Sequence, residues 1–296
     1  MKRITLAGEP EKFIERALVE FVRENPGNRR KVDGGKYWDT PLVGFASGED
    51  PLFKSYKKII GRFHYTPREI FDLTFGKEKH PESLSVISWI LPASEDIRKT
   101  NRKEDKYPSL LWAHARDFGE RFNVKLRDYL VLLLKEKGYR AVAPMNSPHW
   151  KMLKSSRIGW ASKWSERHAA YACGLGAFGL SDGLITARGK AIRVGTIVTD
   201  LSLKPSERIY PHHLANCLYH FNKTCKACAA RCPAGAITSK GHDKDKCFRY
   251  AYETIGPSKK EEYGVRIAGC GLCQTKVPCE YGIPKLIQKE YTRQLR

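Results

Sequence analysis

The chain has 296 residues, of which 41% are hydrophobic, with a formal net charge of +21 and nine cysteines. No apolar run approaches the roughly 18–20 residues that cross a bilayer, and the opening "MKRITLAGEPEKF" carries neither an apolar signal core nor a twin-arginine motif, so no membrane span or export leader is expected and the protein is expected in the cytoplasm. Thiols stay reduced there, which turns the cysteines away from a disulfide framework and towards metal ligation or redox chemistry.

Phe13, Ala17, Leu18, Phe21 and Val22 recur at helical spacing and predict a first helix that "NPGN" stops. "DTPLVGFASGEDPLF", from Asp39, is rich in turn formers and is expected as an ordered loop. "SLSVISWILPAS", from Ser83, predicts a buried strand closed by Pro92. Ser109 to Lys137 has the pattern of one long helix, or of two joined ones, with Gly138 as its stop, and "RAVAP" follows as a short strand. "SERHAAYACGLG" fits a second amphipathic helix, capped by Ser165 and ended by Gly174 and Gly176. "KAIRVGTIVTDLSL", dense in β-branched residues, is the clearest strand. Strands separated by helices predict a mixed α/β (α+β) domain over residues 1–203. "KPSERIYPHH" is the expected joint, with a small loop-rich cysteine domain over 204–296.

Cys173 stands alone and is expected to pack as a small apolar residue. Cys217, Cys225, Cys228, Cys232, Cys247, Cys270, Cys273 and Cys279 all lie in the last third, and eight thiols are what two four-cysteine clusters need. Soft thiolates suit iron–sulfur clusters or zinc. Cys225-x2-Cys228-x3-Cys232-Pro233 matches the end of the bacterial ferredoxin run C-x2-C-x2-C-x3-C-P, whose last cysteine ligates the other cluster of a pair. A zinc ribbon finds its two CxxC pairs but leaves four cysteines and the Cys-Pro step without a role. A single cluster is the remaining alternative. Where the run should begin stands Asn222. Crossed ligation suggests Cys217, Cys225, Cys228 and Cys279 for one cluster and Cys232, Cys247, Cys270 and Cys273 for the other, with Cys217 supplying the ligand that Asn222 cannot. The competing assignment is a three-cysteine cluster with an open or non-cysteine position, for which His212, His213 and His220 are the candidates.

"ERHAAYACGLGAFGLSDGLIT" (Glu166 to Thr186), "GKAIRVGTIVTDLSL" and "CPAGAI", in that order, resemble the epoxyqueuosine reductase and corrinoid reductive dehalogenase superfamily. The resemblance covers roughly residues 165–280, with weaker echoes in "PLVGFASGEDPLF". It implies a nitroreductase-like α/β domain that holds a cobalamin, followed by a ferredoxin-like domain whose two [4Fe–4S] clusters pass electrons to the cobalt. The implied activity is reduction of a small-molecule or nucleoside-like substrate. Gly174, Leu175, Gly176 and Gly179 are then expected at the cofactor, small residues letting the backbone approach a flat macrocycle; otherwise the glycines serve a helix end and a tight turn. The implied partners are a low-potential electron donor such as ferredoxin or flavodoxin and, in the epoxyqueuosine branch, transfer RNA, which a charge of +21 suits. A lysine-rich solubility coat has the same charge. A proton donor is required beside the cofactor, and Tyr171, His168 and Asp182 flank the glycines. The Asp-Tyr-His element that epoxyqueuosine reductases carry in the preceding helix is replaced here by Arg121, Phe122 and Asn123. The rival expectation is an electron-transfer or sensor protein whose α/β domain binds a partner instead of a corrinoid.

Overall fold

The computed structural model describes residues 8–294; residues 1–7, read above for an export signal, lie outside it. In chain order the first two thirds form α1 (Pro10–Glu24), β1 (Leu42–Ser47), α2 (Pro51–Ile59), α3 (Pro67–Phe75), β2 (Ser85–Pro92), α4 (Glu95–Arg102) and α5 (Leu110–Glu136). Then come β3 (Ala141–Val142), β4 (Met152–Ser155), β5 (Gly159–Ser162), α6 (Glu166–Ala172), β6 (Gly176–Phe178), β7 (Leu184–Thr186) and β8 (Ile192–Thr199). The central sheet has the order β1-β2-β8-β3, every neighbouring pair antiparallel. The hairpins β4–β5 and β6–β7 stand apart from it.

β2 is buried at every residue, as a near-continuous apolar run demands. The pleat sends its side chains alternately to two sides. Ile87, Trp89 and Leu91 join Ile14, Leu18 and Val22 of α1 and Phe122, Leu126 and Leu130 of α5 in one apolar cluster. Val86 and Ile90 join Phe53 and Tyr56 of α2, Ile70 and Phe71 of α3, and Ala169, Ala170 and Ala172 of α6 in another. The sheet is thus sandwiched between helices, a mixed α/β architecture as expected.

Two local expectations are corrected. The stretch from Asp39 is not all loop: Leu42–Ser47 pairs with β2 along its length, and Asp50 caps α2 by accepting from the Leu52 N–H at 2.9 Å. Turn formers bracket that strand, and its main-chain partner decides the conformation inside the bracket. Ser165 occupies the N-cap of α6 but makes no side-chain cap; its hydroxyl pairs with His168 Nδ1 at 2.8 Å instead. The long helix α5 is continuous, ended by Gly138 at φ +85°.

Beyond β8 regular structure is short: α7 (Leu218–Asn222), α8 (Ala227–Ala230), β9 (Ile237–Thr238), β10 (Gly241–His242), α9 (Lys244–Phe248), a π-helical turn at Arg249–Thr254, α10 (Ile255–Lys259) and α11 (Lys285–Gln294). Among the described residues no helix is long and apolar enough to cross a membrane.

Gly195 on β8 sits opposite Trp89 on β2, and a β-carbon there would collide with the indole. That ring is fully buried and donates its Nε1–H to Asn123 Oδ1 at 2.9 Å, so it cannot swing aside. Gly195→Ala is expected to cost about 1–3 kcal/mol by overpacking, measured as a lowered denaturant midpoint with an unchanged slope.

Candidate functional site

Cys217 precedes α7 as its N-cap residue, and Lys223 at φ +64° turns the chain back at the helix end. The reversal lets Cys217 and Cys225 line one small cavity together with Cys228 and Cys279. Asn222 stays outside it, its side chain accepting from the Thr224 N–H (3.2 Å) and hydroxyl (2.6 Å) in an exposed turn. The three histidines weighed as substitutes do not line this cavity; His212 accepts from the Leu214 N–H, and His220 stacks edge-on to Tyr219.

The other four cysteines form a second neighbourhood. Burial raises the Cys247 thiol to about 11, helped by Cys273 and Cys232. Burial likewise lifts Cys270 to about 12 against the Leu272 N–H, with Cys273, Cys247 and Cys232 adding to the rise. In the first set burial raises Cys279 to about 12, with Lys190 opposing and Cys217, Cys228 and Cys225 contributing. Such thiols stay protonated at neutral pH, and a metal that bound them would displace the protons. The Ala236 N–H already points at Cys232 Sγ, 3.3 Å away, a donor suited to a ligating thiolate. A thiolate zinc site would gather its sulfurs about 2.3 Å from one ion. Among the described residues no three His, Cys, Asp or Glu are placed to hold a single metal ion.

One residue at this cavity escaped the sequence. Lys190 lines it with the first set, is 2% exposed, and donates from Nζ to Ser181 Oγ at 2.6 Å. Burial works against its charge, but Cys279, Cys273, Cys228 and Cys217 outweigh burial and raise its pKa. A lone lysine before a strand has no pattern that announces this.

The glycines expected at a macrocycle face protein. A β-carbon on Gly174, which is at φ +75°, would lie 2.5 Å from the Glu207 carbonyl oxygen, and one on Gly176 would lie 2.6 Å from that of Ile185. At Gly179 it would meet Ile185 Cδ1 at 3.0 Å and Cys217 Sγ at 3.7 Å. Leu175 is buried in the core beneath the sheet. A helix end and a hairpin thus account for Gly174 and Gly176. Cys173 is fully buried in the same core.

The acid candidates are also occupied. His168 packs against Tyr56 and Phe178, each ring 4.8 Å away, and burial pushes it down to about 3, so it stays neutral. Burial lifts Asp182, but the His242 hydrogen bond and the charges of Lys244 and Arg167 leave it below the usual carboxylate value; an ionised, paired carboxylate has no proton to give. Tyr171 leans on the Phe178 ring at 5.9 Å. Arg121 pairs with Asp117 at 3.0 Å, Phe122 is buried beside Phe21, and Asn123 binds Trp89 and the Val194 carbonyl. All three are structural in this fold.

No family model matches the chain. The epoxyqueuosine reductases of Bacillus anthracis and Bacillus cereus are each 29% identical to it over 124 residues, which is 40% of this chain and 30% of theirs. Over that stretch the chain is similar to the epoxyqueuosine reductases. A crystal structure of selenomethionine-labelled epoxyqueuosine reductase aligns with 92% of this chain and 67% of its own, at a TM-score of 0.51 and 16% identity, so the fold is shared. The Bacillus subtilis reductase covers the same shares at a TM-score of 0.49 and 17% identity. The sequence match spans less than a third of the curated relatives' own length.

Arg127 of α5 is buried and ion-paired to Glu120 (3.0 Å) and Glu166 (3.2 Å), a network no motif announced. Burial raises the Glu166 carboxyl to about 7 although Arg127 opposes it. Between its ordinary value of 4.5 and 7 the folded chain holds a proton that the unfolded chain has lost, so stability falls as pH rises through that window. Glu166→Gln is expected to flatten this fall, measured by denaturant unfolding at pH 5 and pH 7.5.

Proposed function

We propose that the chain is an iron–sulfur reductase of the epoxyqueuosine reductase type, with Cys217, Cys225, Cys228 and Cys279 holding one [4Fe–4S] cluster and Cys232, Cys247, Cys270 and Cys273 the other. The observation that carries it is the convergence of Cys217, Cys225, Cys228 and Cys279, from both ends of the cysteine-rich segment, on one cavity. When bound, each cluster supplies one-electron transfer. The chain's own work is to exclude water around the thiols, to aim N–H groups at sulfur, and to bring the Lys190 charge within reach of thiols of both sets.

The substrate in this proposal is a modified nucleoside carried by transfer RNA. The likeness to epoxyqueuosine reductases supports it, and so does a net charge of +21, which suits a polyanion and equally an acidic ferredoxin or flavodoxin as donor. No step is assigned to cobalamin. The packing of Gly174 and Gly176 on Glu207 and Ile185, with the contacts of Arg121, Phe122 and Asn123 inside the fold, supports one second reading: an electron-transfer or sensor protein that lacks the corrinoid.

Anaerobic reconstitution is expected to load about eight irons per chain, and Cys217→Ala about four; retention of eight by that variant removes the assignment of Cys217. Transfer RNA is expected to bind with an affinity that falls steeply with salt, and to be preferred over other polyanions of similar length. Indifference to all nucleic acids, with the iron intact, leaves the electron-transfer protein as the function.

A further inference from the structure

Cluster ligation alone does not explain Lys190. Its backbone N–H donates to the Cys279 carbonyl at 2.9 Å, which ties the residue to the last ligand of the first set. Its side chain runs inward through the β6–β7 hairpin, where a β-carbon on Gly183 would come within 3.2 Å of Lys190 Cε. The ammonium ends at Ser181 Oγ, 2.6 Å away, and Lys190 itself lines the cavity that the four thiols share. Three N–H donors have this single hydroxyl as partner, and among the described residues no carboxylate pairs with the charge. A cation taken out of water needs an anion, and the surroundings offer only the thiols. Four thiolates around a [4Fe–4S] core leave about two negative charges when oxidised and three when reduced.

We propose that Lys190 is the counter-ion of the cluster held by Cys217, Cys225, Cys228 and Cys279 and raises its reduction potential. The inference rests on the two-cluster assignment above. The step is the arrival of one electron from a low-potential donor of the ferredoxin or flavodoxin class: the cluster gains a negative charge, no bond forms or breaks, and no proton moves. A fixed positive charge at the cavity wall favours the more negative state, and low local polarity strengthens the effect. The lysine is a positioning residue for charge and not a ligand.

The test is an EPR-monitored redox titration of reconstituted wild type, Lys190→Met, Lys190→Gln and Lys190→Arg, each with its iron count. The neutral variants are expected to keep eight irons and to lower the midpoint of one cluster by at least about 59 mV, which is tenfold in the one-electron equilibrium. The other cluster is expected to shift less, and Lys190→Arg to stay near wild type. If both neutral variants assemble only one cluster while Lys190→Arg assembles two, the charge is required as the counter-ion and the proposal stands. A neutral variant with eight irons and unchanged midpoints overturns it, as does loss of iron in Lys190→Arg as complete as in the neutral pair. Failure of the underlying assignment is read separately, as a wild-type protein that binds fewer than eight irons before any variant is compared.

Discussion

Glu280 holds the cysteine-rich segment against the α/β frame. Its carboxylate is almost fully buried and accepts from Arg102 Nε at 2.8 Å, from Arg98 at 3.4 Å, and from the Lys276 N–H at 2.7 Å. Both arginines lie on α4, so one acidic side chain anchors the end of the cysteine-rich segment to a helix that packs on α5. Its carbonyl accepts from the Ala191 N–H at the entrance to β8, and Gly189 presses on the same peptide, leaving no room for a side chain. Removing one partner of such a buried pair generally costs about 3–5 kcal/mol, since the other charge stays buried and unpaired. The consequence reaches beyond stability. Cys279 is the neighbour of Glu280, and Cys217, Cys225 and Cys228 meet it only while that peptide is held against Lys190.

The frame was legible where one periodicity ran without competition. β2, β8 and α5 carry long runs of a single pattern, and each formed within a few residues of its expected place. Misreadings came where short elements are made by partners. β1 looks like loop because its ends are turn formers, and only pairing with β2 makes it a strand. The helices α2 and α3 do carry local marks, since Asp50-Pro51 and Thr66-Pro67 each place a cap before a proline, and Thr66 with Glu69 closes a capping box. The loop expectation ran over Asp50-Pro51, and Thr66-Pro67 drew no expectation.

The site divides the same way. Cysteine spacing is a covalent record of ligation, so the two groups of four could be proposed from the order of residues, and Cys217 could be nominated where Asn222 stands. Long-range charge has no such record. Lys190, Glu280 and the Arg127 network act through residues far away in the chain, and a single lysine or glutamate among many is invisible until the fold brings its neighbours together. Glycines mislead in the opposite sense, because a close approach to a cofactor and a close approach to backbone leave the same residue. Gly174 and Gly176 needed coordinates to separate the two, and the neighbours are Glu207 and Ile185.

The departures from the resemblance fall in the α/β part of the chain. The cysteines, the Cys-Pro step and the strand that follows Lys190 keep their order. Gly174 and Gly176 pack on Glu207 and Ile185, and Arg121, Phe122 and Asn123 of α5 are committed to ion pairing, apolar packing and support of Trp89. Electron delivery places strict demands on sulfur geometry and buried charge, because its rate and potential depend on them. A reaction chamber depends on whatever substrate it must enclose. The thiols are therefore set in place by contacts at Lys190 and Glu280, while Arg121, Phe122 and Asn123 of α5 serve the packing of the α/β core.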